Sequence, residues 1–163
     1  MLNSHKSHGV IAVVAMLATL AMAATADAKT HRYSTQIVSS TLSTAGGYPG
    51  HGSIAYSSGT VESSRFGTGA LVDYVTMTGR PFGQNVSTFV GTEVAMFGNA
   101  QTSAEYEGYS VLRDDGTQEV AIEGHFVGGT RRFRDATGRF KFTGTIPAGS
   151  DVLTGQSKGR IAF

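Results

Sequence analysis

The chain has 163 residues, 13 basic and 12 acidic, so its net charge of +1 lacks the basic excess on which nucleic-acid binding draws. It contains no cysteine. Disulfides, thiolate nucleophiles and zinc–cysteine sites are excluded together, and stability is left to burial and hydrogen bonding.

The N-terminal segment reads as an export signal. Met1–Gly9 is polar with one cation, Lys6, and Val10–Ala24 is an apolar run broken only by Thr19. Ala26-Asp27-Ala28 then supplies the small-x-small pattern of a signal-peptidase site. The run falls short of the ~20 residues that span hydrocarbon. We therefore expect a signal peptide over residues 1–28, cleaved after Ala28, and a secreted or periplasmic protein without a membrane span. A single domain over residues 29–163 is expected to follow.

That domain is punctuated by glycine: of 22 in the chain, all but Gly9 lie beyond the signal. Between them stand short runs rich in Val, Ile, Thr, Phe and Tyr, and no sustained 3.6-residue apolar period is present, so little or no helix is expected. In chain order the strands are predicted at His31–Leu42, Ser53–Tyr56, Phe66–Met77, Val86–Phe97, Ser103–Leu112, Thr117–Phe126, Gly138–Ile146 and Gly155–Phe163. Tyr48–Gly52 and Gly79–Gly83 are predicted loops, and Arg113-Asp114-Asp115-Gly116 a hairpin turn.

The last strands alternate cleanly. Val120, Ile122 and Phe126 alternate with Glu119, Glu123 and His125, and Phe140, Phe142 and Ile146 with Arg139, Lys141 and Thr145. Two central strands are apolar on both faces. Leu71, Val75 and Met77 stand opposite Phe66, Ala70, Val72 and Tyr74, while Phe89, Ala95 and Phe97 stand opposite Val86, Val90, Val94 and Met96. A sheet greasy on both sides needs cover on both, which points to a homo-oligomer. Eight antiparallel strands predict a closed barrel, which leaves no exposed edge; a two-sheet β-sandwich is the alternative.

The segment from Val127 to Phe142 resembles a signature of plant dirigent proteins and allene oxide cyclases, roughly Gly-Gly-Thr/Ser-Gly-x-Phe-x-x-Ala/Val-x-Gly followed by a strand. It is similar also to secreted bacterial proteins carrying an allene oxide cyclase-like barrel. Gly128, Gly129, Thr130, Phe133, Ala136 and Gly138 match, and Arg131 replaces a glycine. The resemblance covers about the last third of the domain. It implies an eight-stranded antiparallel barrel, often trimeric, with a cavity for an apolar substrate, and it carries no active-site residue across. In the residues themselves, Phe133 is suited to plug one end of a core.

Candidate ligand-binding residues are Asp73, Tyr74, Glu93, Tyr106 and Tyr109. Asp73 shares a strand face with Leu71 and Val75, and Glu93 one with Phe89 and Ala95. Either these faces line the barrel, placing two carboxylates in an apolar cavity with raised pKa values, or the strands are turned over and both carboxylates meet solvent, the plainer reading. The three tyrosines line a pocket or simply pack.

No catalytic residue stands out. His31, His51 and His125 match no metal-ligand spacing, with His125 expected in solvent. No serine lies in a nucleophile elbow, and Gly128-Gly129-Thr130 lacks the lysine of a phosphate loop. Arg131, Arg132, Arg134, Arg139 and Lys141 concentrate positive charge and suit an anionic ligand or an acidic glycan, the plainer account being a solvated turn. Asn85-Val86-Ser87 is a glycosylation sequon.

The leading expectation is a cofactor-free barrel that binds a small apolar molecule and guides its cyclisation or coupling. The alternative is a non-enzymatic secreted or envelope protein with a packed barrel, binding proteins or glycans through its surface.

Overall fold

The computed structural model describes residues 28–45, 53–79 and 85–163. The expected signal peptide up to Asp27, the expected loop Tyr48–Gly52 and most of the expected loop Gly79–Gly83 lie outside the described residues. Eight strands follow one another: β1 (Thr30–Ala45), β2 (Ile54–Ser63), β3 (Gly67–Gly79), β4 (Val86–Phe97), β5 (Ala100–Leu112), β6 (Gln118–Gly129), β7 (Thr137–Ile146) and β8 (Val152–Ala162). Each pairs antiparallel with the next, and β1 pairs with β8 to close the ring. The protein is an all-β, eight-stranded antiparallel closed barrel, and the ring closure excludes a sandwich. No described helix is long and apolar enough to cross a membrane.

Alternation sorts the side chains. Tyr33, Ile37, Val61, Leu71, Phe89, Ala95, Phe126, Phe140, Phe142 and Ile161 turn inward and are buried, while their outward neighbours are exposed or half-buried. The hairpin between β5 and β6 is locked where the Thr117 N–H donates to Asp115 Oδ1 at 2.8 Å and the Gly116 N–H to the Arg113 carbonyl at 2.9 Å.

Two expectations need correction. β2 runs on through Ser57–Ser63 instead of stopping at Tyr56, because β1 and β3 pair with it on both sides and satisfy its backbone despite its poor strand formers. Phe66 does not belong to the outward face of β3. It precedes the strand, in a turn where the Ser63 hydroxyl accepts from the Arg65 and Phe66 N–H groups, and its ring folds over the barrel end.

One barrel end is filled from the segment after β6. A 3-10 turn, Arg131–Phe133, delivers Phe133 into the barrel with no exposed surface. Its ring packs on those of Phe66 (centroids 5.0 Å apart), Phe163 (4.9 Å) and Phe97 (6.4 Å). The Arg132 guanidinium lies 4.7 Å above the Phe133 ring. The turn is tied to β5 in both directions: the Thr130 N–H donates to the Gln101 carbonyl (2.9 Å), and the Gln101 N–H to Thr130 Oγ1 (3.1 Å). Gly138, at φ +131°, opens β7 against β8 so closely that a Cβ there would lie 2.1 Å from the Arg160 carbonyl oxygen.

Candidate functional site

Asp73 on β3 and Glu93 on β4 are direct cross-strand partners, and both point into the barrel. Leu71 and Ala95 on the same faces are buried, whereas the outward Val72 and Val90 are 48% and 43% exposed. The solvent-facing reading of the two acids is thereby corrected. Alternation could not decide between the faces because both faces of these strands are apolar; pairing with flanking strands of unambiguous pattern sets them.

Asp73 is well supplied with donors. Tyr106 on β5 donates its hydroxyl to Asp73 Oδ1 at 2.6 Å, and Ser57 on β2 donates to Oδ2 at 3.3 Å. Tyr106 reaches over the strand between them because position 91 is glycine: a Cβ there would lie 2.3 Å from the tyrosine hydroxyl oxygen. Glu93, by contrast, has no hydrogen bond or ion pair among the described residues.

The electrostatics follow from that difference. Burial raises both carboxyl groups, and among the described residues no cation faces them. Glu93, desolvated and beside the Asp73 charge, is pushed up to about 8. Asp73 is raised by burial and pulled back by the Tyr106 and Ser57 hydrogen bonds. Burial and the neighbouring Asp73 charge raise the Tyr106 phenol, while burial and the Glu93 charge raise that of Tyr33. Near neutral pH Glu93 therefore keeps its proton and can donate it, beside a second carboxyl group, Asp73, whose own affinity for a proton is raised.

The acids border a water-accessible space of about 20 Å³, bounded on its apolar side by Ile37, Leu71, Ile122, Phe140, Phe142 and Leu153. That is room for about one water. Toward the end opposite Phe133, Val75, Met77, Ile146 and Leu153 are partly buried, pack against the core and line the barrel's apolar mouth, whose bordering segments 46–52 and 80–84 lie outside the described residues.

Of the five candidate residues, Asp73, Glu93 and Tyr106 meet at this site. Tyr74 and Tyr109 do not and are corrected to the outer surface, where Tyr74 packs edge-to-face on Tyr56 (5.1 Å) and Tyr109 is half exposed. Strand alternation puts them opposite Asp73 and Tyr106. Sequence reasoning missed Ser57; counting back from the turn at Ser64–Phe66 places it opposite Asp73.

His31 packs on Phe163 at the plugged end, and His125 is exposed, 3.7 Å from Glu105. His51 lies outside the described residues. Asn85 is exposed just ahead of β4. Among the described residues, no three His, Asp or Glu side chains come together to hold a metal ion. No protein-family model matches the chain. No curated protein matches it either.

Proposed function

We propose that the chain is an exported, cofactor-free barrel that binds a small, mainly apolar molecule, its polar end held by Asp73, Glu93 and Tyr106. The observation that carries this is the buried acid pair, of which Asp73 has hydroxyl donors and Glu93 has no partner among the described residues. Two carboxyl groups in an apolar interior, with no cation opposite among the described residues, oppose folding, and such an arrangement is expected where a ligand or a proton transfer uses it. The mouth formed by Met77, Ile146 and Leu153 suits the apolar body. The space of about 20 Å³ suits only a polar head, so the body sits at the mouth rather than in the barrel centre. Burying about 300 Å² of apolar surface gives roughly 7 kcal/mol before ordering costs, enough for micromolar binding. A protonated Glu93 beside the Asp73 carboxyl group can donate and accept protons in a cyclisation or coupling of the bound molecule. The likeness of Val127–Phe142 to dirigent proteins and allene oxide cyclases supports the same reading, and the apolar run ending at Ala26-Asp27-Ala28 supports export.

The test is to extract the purified protein for mass spectrometry and to titrate it with a small fluorescent arylamine. Wild type is expected to carry or take up one molecule, and Leu153→Trp, which fills the mouth, to take up none. No extractable molecule and no probe uptake by wild type would overturn the reading.

The nearly filled interior favours a second reading, a packed barrel that works through its surface. The outer faces of β3 and β4 carry Val72, Tyr74, Val90, Val94 and Met96 and no charged side chain. Val38 and Tyr56 extend that face across β1 and β2, and both are more than 40% exposed. It suits contact with further copies, a trimer by the family likeness. Val90→Asp with Val94→Asp should then lower the mass in solution while leaving the β-sheet spectrum intact; a monomeric wild type would remove the oligomer.

A further inference from the structure

Barrel closure gathers cations that the sequence keeps apart. Arg32 on β1 is the direct partner of Arg160 on β8, which is in turn the partner of Arg139 on β7. One step along the strands, Lys158 stands opposite Lys141. All five point outward and are exposed. Like charges placed directly opposite on one sheet face repel. Only Lys141 finds an acid among the described residues, Glu123 at 2.5 Å. Arg32, Arg139, Lys158 and Arg160 form no ion pair there. A shallow concavity of about 1160 Å³ runs over Arg139, Lys141, Lys158 and Arg160, with Glu107, Glu123 and His125 lining its far side.

We propose that this face binds an acidic polysaccharide, a hydroxyl-rich chain with repeated carboxylates. The site is separate from the barrel interior and independent of it. Strands about 4.8 Å apart set the three arginines in a row of roughly 10 Å, which suits closely spaced charges along a linear polymer rather than one small anion. Each guanidinium offers a planar fork that matches a carboxylate. The outward positions that continue the face are Ser34, Gln36, Thr143, Thr154 and Gln156, hydroxyl and amide groups suited to sugar hydroxyls. The exposed rings nearest it, His125 beside Arg139 and Tyr109 two strands from Thr143, stand singly at its border and form no row on which successive bases could stack. The face also lacks the apolar side chains with which basic surfaces enter a lipid interface. Glu105, Glu107 and Glu123 on β5 and β6 bound the site and direct the polymer toward β8 and β1.

Calorimetric titration of the purified protein with a ten-residue oligogalacturonate, at several salt concentrations, tests this. Binding is expected to weaken with salt, and Arg139→Glu with Arg160→Glu to lose at least tenfold in affinity and about two in the slope of log K against log salt. Arg139→Gln with Arg160→Gln should show the same direction with an unchanged β-sheet spectrum. Arg131→Glu with Arg134→Glu, on the plugging turn, should bind as wild type. Absence of binding, binding untouched by either Arg139 and Arg160 pair, or tighter binding to single-stranded DNA or phosphatidylglycerol vesicles would overturn the proposal.

Discussion

At one end of the barrel a single phenylalanine, Phe133, is sealed among three other rings, and the turn that carries it is hydrogen-bonded to β5 both ways. Toward the other end Val75, Met77, Ile146 and Leu153 are only partly buried, and two acids stand deeper in the barrel. The contrast teaches that a closed sheet can concentrate its packing at one end.

The largest effect should come from emptying the sealed end. Phe133→Ala removes a fully buried ring from a site that cannot collapse, and should lower unfolding free energy by about 3–5 kcal/mol in urea titration. Leu153→Ala at the mouth should lose about 1–2 kcal/mol, because its side chain is already part exposed. Equal losses would mean that the two ends are packed alike.

Next in size is the pH response of the acids. Glu93, held at about 8 against an ordinary 4.5, keeps a proton in the folded chain that the unfolded chain has lost. Stability therefore declines as pH rises from about 4.5 to 8, by up to about 1.4 kcal/mol per unit, and levels off above. Asp73 is raised as well and acts in the same direction. Glu93→Gln should remove most of the decline and exceed wild type at pH 8 by about 3 kcal/mol, while matching it near pH 5. Phe133→Ala should be lower at every pH and keep the slope. A Glu93→Gln protein with the wild-type slope would locate the titration elsewhere.

The two ends were unequally legible. The strand Val86–Phe97 can be read residue for residue, since its apolar run is bounded by Asn85 and Gly98. The sealing role of Phe133 follows from glycines that bend the chain just before one large apolar side chain. β2 was hidden beyond Tyr56, where Ser57, Ser58, Gly59 and Thr60 resemble a loop and only pairing on both sides makes a strand. The orientation of Asp73 and Glu93 was hidden for the opposite reason: with apolar residues on both faces, a period of two has no contrast to report. The arginine row was invisible because Arg32 and Arg160 become neighbours only when β8 closes on β1.

The smallest effect concerns strain at the sealed end itself. Arg131 sits at φ +53°, the left-handed region, and no other described non-glycine residue has a positive φ. That conformation costs a side-chain-bearing residue about 1–2 kcal/mol. Glycine relieves it but gives the unfolded chain more freedom, worth about 0.5–1 kcal/mol in the other direction. Arg131→Gly should thus gain about 0.5–1 kcal/mol and raise the melting temperature by about 2–4 °C, while Arg131→Ala, which keeps the strain, should gain nothing. A loss in Arg131→Gly would mean that the arginine side chain itself braces the turn. A gain would show that even the well-packed end holds its aromatic plug against a backbone cost, as the barrel interior holds its acids against an electrostatic one.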